Sequence, residues 1–95
     1  MLILTVKFKS ALSDSEVHRI MEERAPRFRA LPGLIQKYYG HEKETGEFTG
    51  IYVWDSEQSL REYRDSELAR TIPEAYRAEG QPRIEIFEVP LVLRS

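Results

Sequence analysis

The chain has no cysteine and no asparagine, only two histidines and a single tryptophan among its 95 residues. Without cysteine there is no disulfide, no thiolate metal site and no thiol nucleophile. The two histidines, His18 and His41, are too few and too far apart for an imidazole metal cluster, so no metal site is expected. No hydrophobic run approaches the ~20 apolar residues of a membrane span. The opening stretch MLILTVKFK lacks a basic n-region, and its apolar run is too short for a signal peptide. The cytoplasm is the expected compartment, with no membrane partner. Charge of one sign is missing too: 14 Lys and Arg stand against 16 Asp and Glu, giving a net charge of −2 and a pI near 5.7. A nucleic-acid partner requires a basic face, and none is expected. The one local basic run, RAPRFR (Arg24 to Arg29), follows the acidic MEER and reads as a solvated helix face. No glycine-rich loop follows a strand to cradle phosphates. The carboxylates are spread as surface and single out no catalytic pair.

What remains is a chain with 41% hydrophobic and 32% charged residues, the size of one small domain spanning residues 1–95. A domain this short buries only roughly 60–65% of its unfolded surface. Without covalent staples, oligomerisation is a natural source of stability.

The pattern of elements follows from periodicity. LILTVKFK (Leu2 to Lys9) alternates, with Leu2, Leu4, Val6 and Phe8 on one side, as a strand requires. SDSE (Ser13 to Glu16) fits a capping box at the start of a helix. That helix carries Val17, Ile20, Met21, Phe28 and Leu31 on one stripe, together with Arg24. Pro26 lies inside the helix and is expected to kink it, and LPG (Leu31 to Gly33) ends it. Two strands, Leu34 to Lys43 and Phe48 to Asp55, flank the turn residues ETGE and form a hairpin. A helix over residues 56–64 places Leu60 and Tyr63 on its buried side. A further short helix within residues 65–80 is broken near Pro73 and stopped by Gly80, and a last strand over residues 82–93 is interrupted by Pro90.

This order, β-α-β-β-α-β, is the ferredoxin-like arrangement of an α+β fold: an antiparallel sheet with helices on one face. Right-handed crossovers put the first and third strands at the centre. The other sheet face carries either Ile3, Ile35 and Val53, or Leu4, Tyr38 and Tyr52, according to parity. Either set is apolar enough to need a second cover. A partner sheet supplies it, giving a homodimer.

The segment YVWDSEQSL (Tyr52 to Leu60), a strand ending in an aromatic and followed by an acidic residue and a helix, resembles the dimeric α+β barrel superfamily, whose fold is also called antibiotic-biosynthesis mono-oxygenase-like. PGLIQK (Pro32 to Lys37), GIYVW (Gly50 to Trp54) and IFEVPL (Ile86 to Leu91) are similar to the putative mono-oxygenase YdhR group within it. The likeness covers nearly the whole chain and lies in the order and spacing of these motifs. It implies a homodimer with facing sheets and a pocket in each subunit between sheet and helices. It also implies an activity: some relatives oxidise polycyclic phenols to quinones with molecular oxygen and no bound cofactor. Others degrade haem, bind small aromatics or isomerise lactones. The haem-degrading pattern is not met, because the first strand lacks its asparagine. Tyr63 stands where that pattern has tryptophan, and no histidine follows His41.

Cofactor-free oxygenation needs an apolar aromatic cavity, a base or hydrogen-bond partner, and a group that polarises growing negative charge. The candidates for catalysis are Arg24, His41 and Tyr63; those for binding a small aromatic molecule are Tyr38, Tyr52 and Trp54. Arg24 is on the inward stripe and offers a fork of donors to a phenolate or carboxylate. His41 shares a strand face with Tyr39, and an unperturbed imidazole titrates near pH 6.5. Tyr52 and Trp54 share a face. A two-residue turn at Thr45-Gly46 would set Tyr39 opposite Tyr52, whereas a three-residue loop would set Tyr38 there. The competing functions are a non-catalytic module for a small hydrophobic ligand and a structural dimerisation unit with a self-filled cavity.

Overall fold

Alternation in the first strand sorts its side chains cleanly. In the computed structural model, which describes residues 1–94, β1 (Leu2–Ser10) buries Leu4, Val6 and Phe8 beneath the helices. The sheet order is β2-β3-β1-β4, all antiparallel, with β2 spanning Leu34–His41, β3 Phe48–Trp54 and β4 Ala78–Glu88. β1 and β3 are therefore the central pair, as the crossover rule requires. No helix among the described residues is long and apolar enough to cross a membrane.

α1 (Asp14–Arg29) opens on the capping box: the Ser13 hydroxyl accepts from the Glu16 amide, and the Glu16 carboxylate accepts from the Ser13 amide. Two of the first-turn amides that have no helical partner are satisfied in this way. The helix runs unbroken through Pro26 and buries Val17, Arg24 and Phe28 against the sheet. α2 (Glu57–Arg64) is capped by Ser56 and buries Leu60 and Tyr63.

The segment after α2 differs from the sequence expectation. It forms two single turns, α3 (Glu67–Arg70) and α4 (Ile72–Ala75), and Pro73 sits in the first turn of α4 instead of breaking a helix. A proline costs nothing there, because first-turn amides have no helical acceptor anyway. Gly80 does not stop a helix: it lies inside β4 with φ of +77°. The β1–β4 register shifts there, between the Lys7–Arg83 and Lys9–Glu79 pairs. Pro82, which has no amide to donate, falls in the same irregularity. The strand ends at Glu88, before Pro90, and does not resume among the described residues.

The hairpin also takes neither of the two expected registers. Its connection is longer: Glu42 bonds across to Glu47, and Gly46, with φ of +79°, closes back on the Glu42 carbonyl. His41 then pairs with Phe48, and Lys37, not a tyrosine, stands opposite Tyr52. Tyr39 shares the helix-facing side with Tyr52, while Tyr38 pairs with Ile51 on the open side. The open face consequently carries Ile3, Ile51 and Val53 with Tyr38 and Phe87, a mixture of the two sets allowed by parity. Leu4 and Tyr52 are core, and Ile35 sits at the β2 irregularity.

Candidate functional site

Between the helix-facing side of the sheet and the helices lies an aromatic cluster contributed by separate elements. Phe28 comes from α1, Tyr52 and Trp54 from β3, and Tyr63 from α2. The Tyr63 ring centroid is 5.3 Å from those of both Tyr52 and Trp54, and 6.0 Å from that of Phe28. Tyr63 Oη donates to Tyr52 Oη at 3.1 Å. The Tyr52 ring lies back over Gly50, where an added Cβ would be 2.8 Å from the ring. That close approach is why a residue without a side chain is required in the middle of β3.

Burial pushes the Tyr63 phenol up to about 12, although the Tyr52 hydrogen bond and Arg24 pull the other way. Tyr76 is pushed up to about 12 by burial as well, and Tyr52 is raised well above the ordinary phenol value. At neutral pH these phenols are donors and acceptors of hydrogen bonds, not bases.

Arg24 is 7% exposed, and its inward direction on the helical stripe is confirmed. Its Nη2 donates to the Leu68 carbonyl at 2.9 Å and to Thr71 Oγ1 at 3.2 Å, tying α1 to the α3–α4 turns. Among the described residues its Nε has no hydrogen-bond partner, and no carboxylate forms an ion pair with it. A buried guanidinium without an anion is costly. Trp54 Nε1 is a second buried donor without a partner.

Lys37 escaped the sequence reading. Its Nζ lies 3.3 Å from the Phe28 ring centroid, 4.3 Å from that of Tyr39 and 4.5 Å from that of Tyr52. Desolvation, with the Arg24 charge adding to it, brings this amine down to about 7. The one available signal was its strand parity with Tyr39 and His41, because a lysine alternating with aromatics on the side that becomes buried must carry its charge inside.

Several spaces adjoin the cluster. A cleft of about 220 Å³ between the β1–β4 half of the sheet and the α2–α4 segment has Leu4, Val6, Ile72 and Ile84 in its walls, with Tyr63 among them. Arg64, Arg70 and Gln81 are its polar lining, and it contains no carboxylate. Val6 and Ile72 also line a small inner hollow of about 20 Å³, which Lys37, Tyr39, Tyr52 and Tyr76 share.

Of the residues singled out from sequence, the structure brings together Arg24, Tyr52, Trp54 and Tyr63. It does not bring His41 or Tyr38 to them. His41 is exposed at the hairpin end, stacked on Phe48 at 4.1 Å between centroids. Tyr38 is 57% exposed on the opposite sheet face, because the observed register shares its parity with the two-residue alternative, which sets Tyr39 and not Tyr38 on the Tyr52 side. Among the described residues no group of three or more His, Asp or Glu side chains could hold a metal ion.

A family model described as "Putative mono-oxygenase ydhR" matches residues 3–89. No curated protein matches the chain. Solved structures with this fold include SnoaB, a cofactor-independent oxygenase from Streptomyces nogalater: 15% identity, TM-score 0.78, 99% of this chain and 97% of that one covered. A protein from Deinococcus radiodurans described as a "putative antibiotic biosynthesis monooxygenase" is 14% identical at a TM-score of 0.77, covering 100% and 98%. One from Caulobacter crescentus with the same description is 16% identical at 0.76, covering 93% and 88%. At these identities the likeness establishes the fold.

Proposed function

We propose that this chain, which belongs to the ydhR mono-oxygenase family, is a cofactor-independent mono-oxygenase acting on small electron-rich phenolic aromatics. The observation that carries the reading is the carboxylate-free apolar cleft with the Tyr63–Tyr52 hydroxyl pair in and behind its wall. A flat apolar substrate fits between Val6, Ile72 and Ile84, and its ionised oxygen is stabilised where no acid repels it.

Such a substrate supplies its own electrons. Loss of a proton gives an anion that passes one electron to dioxygen, forming a radical and superoxide. Their recombination gives a peroxide, which loses water to leave a carbonyl; one oxygen atom enters the product and the other departs as water. The protein has to exclude bulk water and hold the anion. Tyr63, kept neutral by burial and lining the cleft, offers its hydroxyl to the developing oxyanion by turning it from Tyr52 Oη. Arg24, bound to the α3–α4 turns behind them, contributes positive potential. Trp54 is the apolar backing, fully buried against Tyr63.

The same reading includes a homodimer in the cytoplasm. The open sheet face carries Ile3, Ile51, Val53, Tyr38 and Phe87 with no covering element among the described residues, the situation that sheet-to-sheet pairing resolves. Oxygen uptake with anthrones, measured on metal-stripped protein, tests the activity. Uptake above the spontaneous rate with equivalent quinone formation supports it. Quenching of Trp54 by the same compounds without uptake assigns the cleft to ligand sequestration instead.

A further inference from the structure

Lys37 does not line the cleft just described; it faces elsewhere. A groove of about 350 Å³ runs between the second half of α1 and the edge strand β2, and Phe28, Lys37 and Tyr39 line both this groove and the inner hollow. Ala25, Leu34 and Ile35 complete its apolar walls, Arg29 and Gln36 its polar ones. The groove has no carboxylate in a chain that carries 16 of them.

We propose that the α1–β2 groove binds a small planar aromatic carboxylate, with the ring against Phe28 and Tyr39 and the carboxylate turned toward Lys37, with Arg29 at its side. Three observations converge on an anion of this shape. The Lys37 amine lies among the rings of Phe28, Tyr39 and Tyr52, makes no ion pair among the described residues, and feels the positive charge of Arg24. Arg24 itself is buried with its Nε unsatisfied, so this part of the core holds positive charge with nothing to balance it. The exposed apolar surface beside it, with Ile35 at 53% and Tyr39 at 38%, suits a ring, not an inorganic ion. The groups facing Lys37 are Phe28, Arg24 and Arg29 from α1, Tyr39 from β2, Tyr52 from β3, and Tyr76 across the hollow. None of them is an acid. A carboxylate docking there favours the ammonium form, so binding above neutrality draws a proton from solution.

The test is calorimetric titration of 2-naphthoate into the intact protein at pH 6 and pH 8, each in two buffers of different ionisation enthalpy. With Lys37 near 7 in the free protein, the amine is mostly neutral at pH 8 and mostly charged at pH 6. The expected result is uptake of close to one proton per ligand at pH 8, little at pH 6, and an affinity that falls up to about tenfold per pH unit above neutrality. Lys37→Arg keeps the charge, so it retains binding with no proton uptake. Lys37→Met loses the uptake and flattens the pH profile. Absence of naphthoate binding overturns the proposal, as does binding without proton uptake at pH 8. Uptake that persists in Lys37→Met also overturns it, because the carboxylate is then held elsewhere. None of these outcomes depends on oxygenase activity in the cleft.

Discussion

Lys37 and Tyr63 show how single residues carry this account. Folding takes Lys37 from an ordinary amine near 10.5 to about 7. Between those values the unfolded chain binds a proton that the folded chain does not, so stability from this group rises with pH across that window. Below 7 both states are charged, and the full cost of burying the ammonium is present. Lys37→Met should therefore raise stability at pH 7 by about 1–4 kcal/mol, with the advantage shrinking toward pH 10. Urea denaturation of both proteins across pH 7–10 checks the sign, and parallel curves would refute it. Tyr63→Phe removes the donor to Tyr52 and leaves a buried hydroxyl without its partner. The expected cost is about 1 kcal/mol of stability and roughly 10²-fold in turnover, readable from one denaturation and one oxygen-electrode series. At this scale the sequence was uneven. Arg24 was legible because helical periodicity places it on the same stripe as Val17 and Phe28. Lys37 was not, because a lone lysine in an edge strand ordinarily points to water. His41 had the right chemistry but lies at the exposed end of its strand.

Among the elements, α1 was readable from its cap to its stripe, and the hairpin was not. The capping box is local chemistry, so Ser13→Ala should cost about 1 kcal/mol, lowering the thermal midpoint by about 4–8 °C for a domain this size. Hairpin register is different. It depends on the length of the Glu42–Glu47 connection, and changing that by one residue moves every β2 side chain to the other face. The sequence left that parity open; the structure settles it with Lys37 and Tyr39 on the Tyr52 side and Tyr38 on the other. The short turns after α2 were misjudged for a related reason, since Pro73 and Gly80 punctuate a chain without saying whether they begin, end or bulge an element. Gly33 is the sharpest constraint between elements. Its φ is +81°, and a Cβ there would approach Ser59 Cβ to 2.5 Å and Asp55 Oδ1 to 2.6 Å. Gly33→Ala should lose about 2–4 kcal/mol from backbone strain and overpacking together, measured by chemical denaturation.

For the whole molecule, the β-α-β-β-α-β order and the central β1–β3 pair followed from the sequence because they rest on long-range alternation and crossover handedness. Which face the helices take did not follow, because Ile3, Ile35 and Val53 make one apolar set and Leu4, Tyr38 and Tyr52 another; packing of Leu4 and Tyr52 against the helices decides it. The open sheet face is the feature on which the proposed homodimer rests. Val53→Glu places a charge in the middle of it and should convert a dimer to a monomer in sedimentation velocity without unfolding the chain. A monomeric parent protein would refute the sheet-to-sheet assembly. The role of the cleft is tested by oxygen consumption of the metal-stripped protein with an anthrone, followed together with quinone formation. The expected result is consumption above the spontaneous rate, one quinone per dioxygen, and a loss of most of that rate in Tyr63→Phe. Consumption no faster than the anthrone shows alone would contradict it.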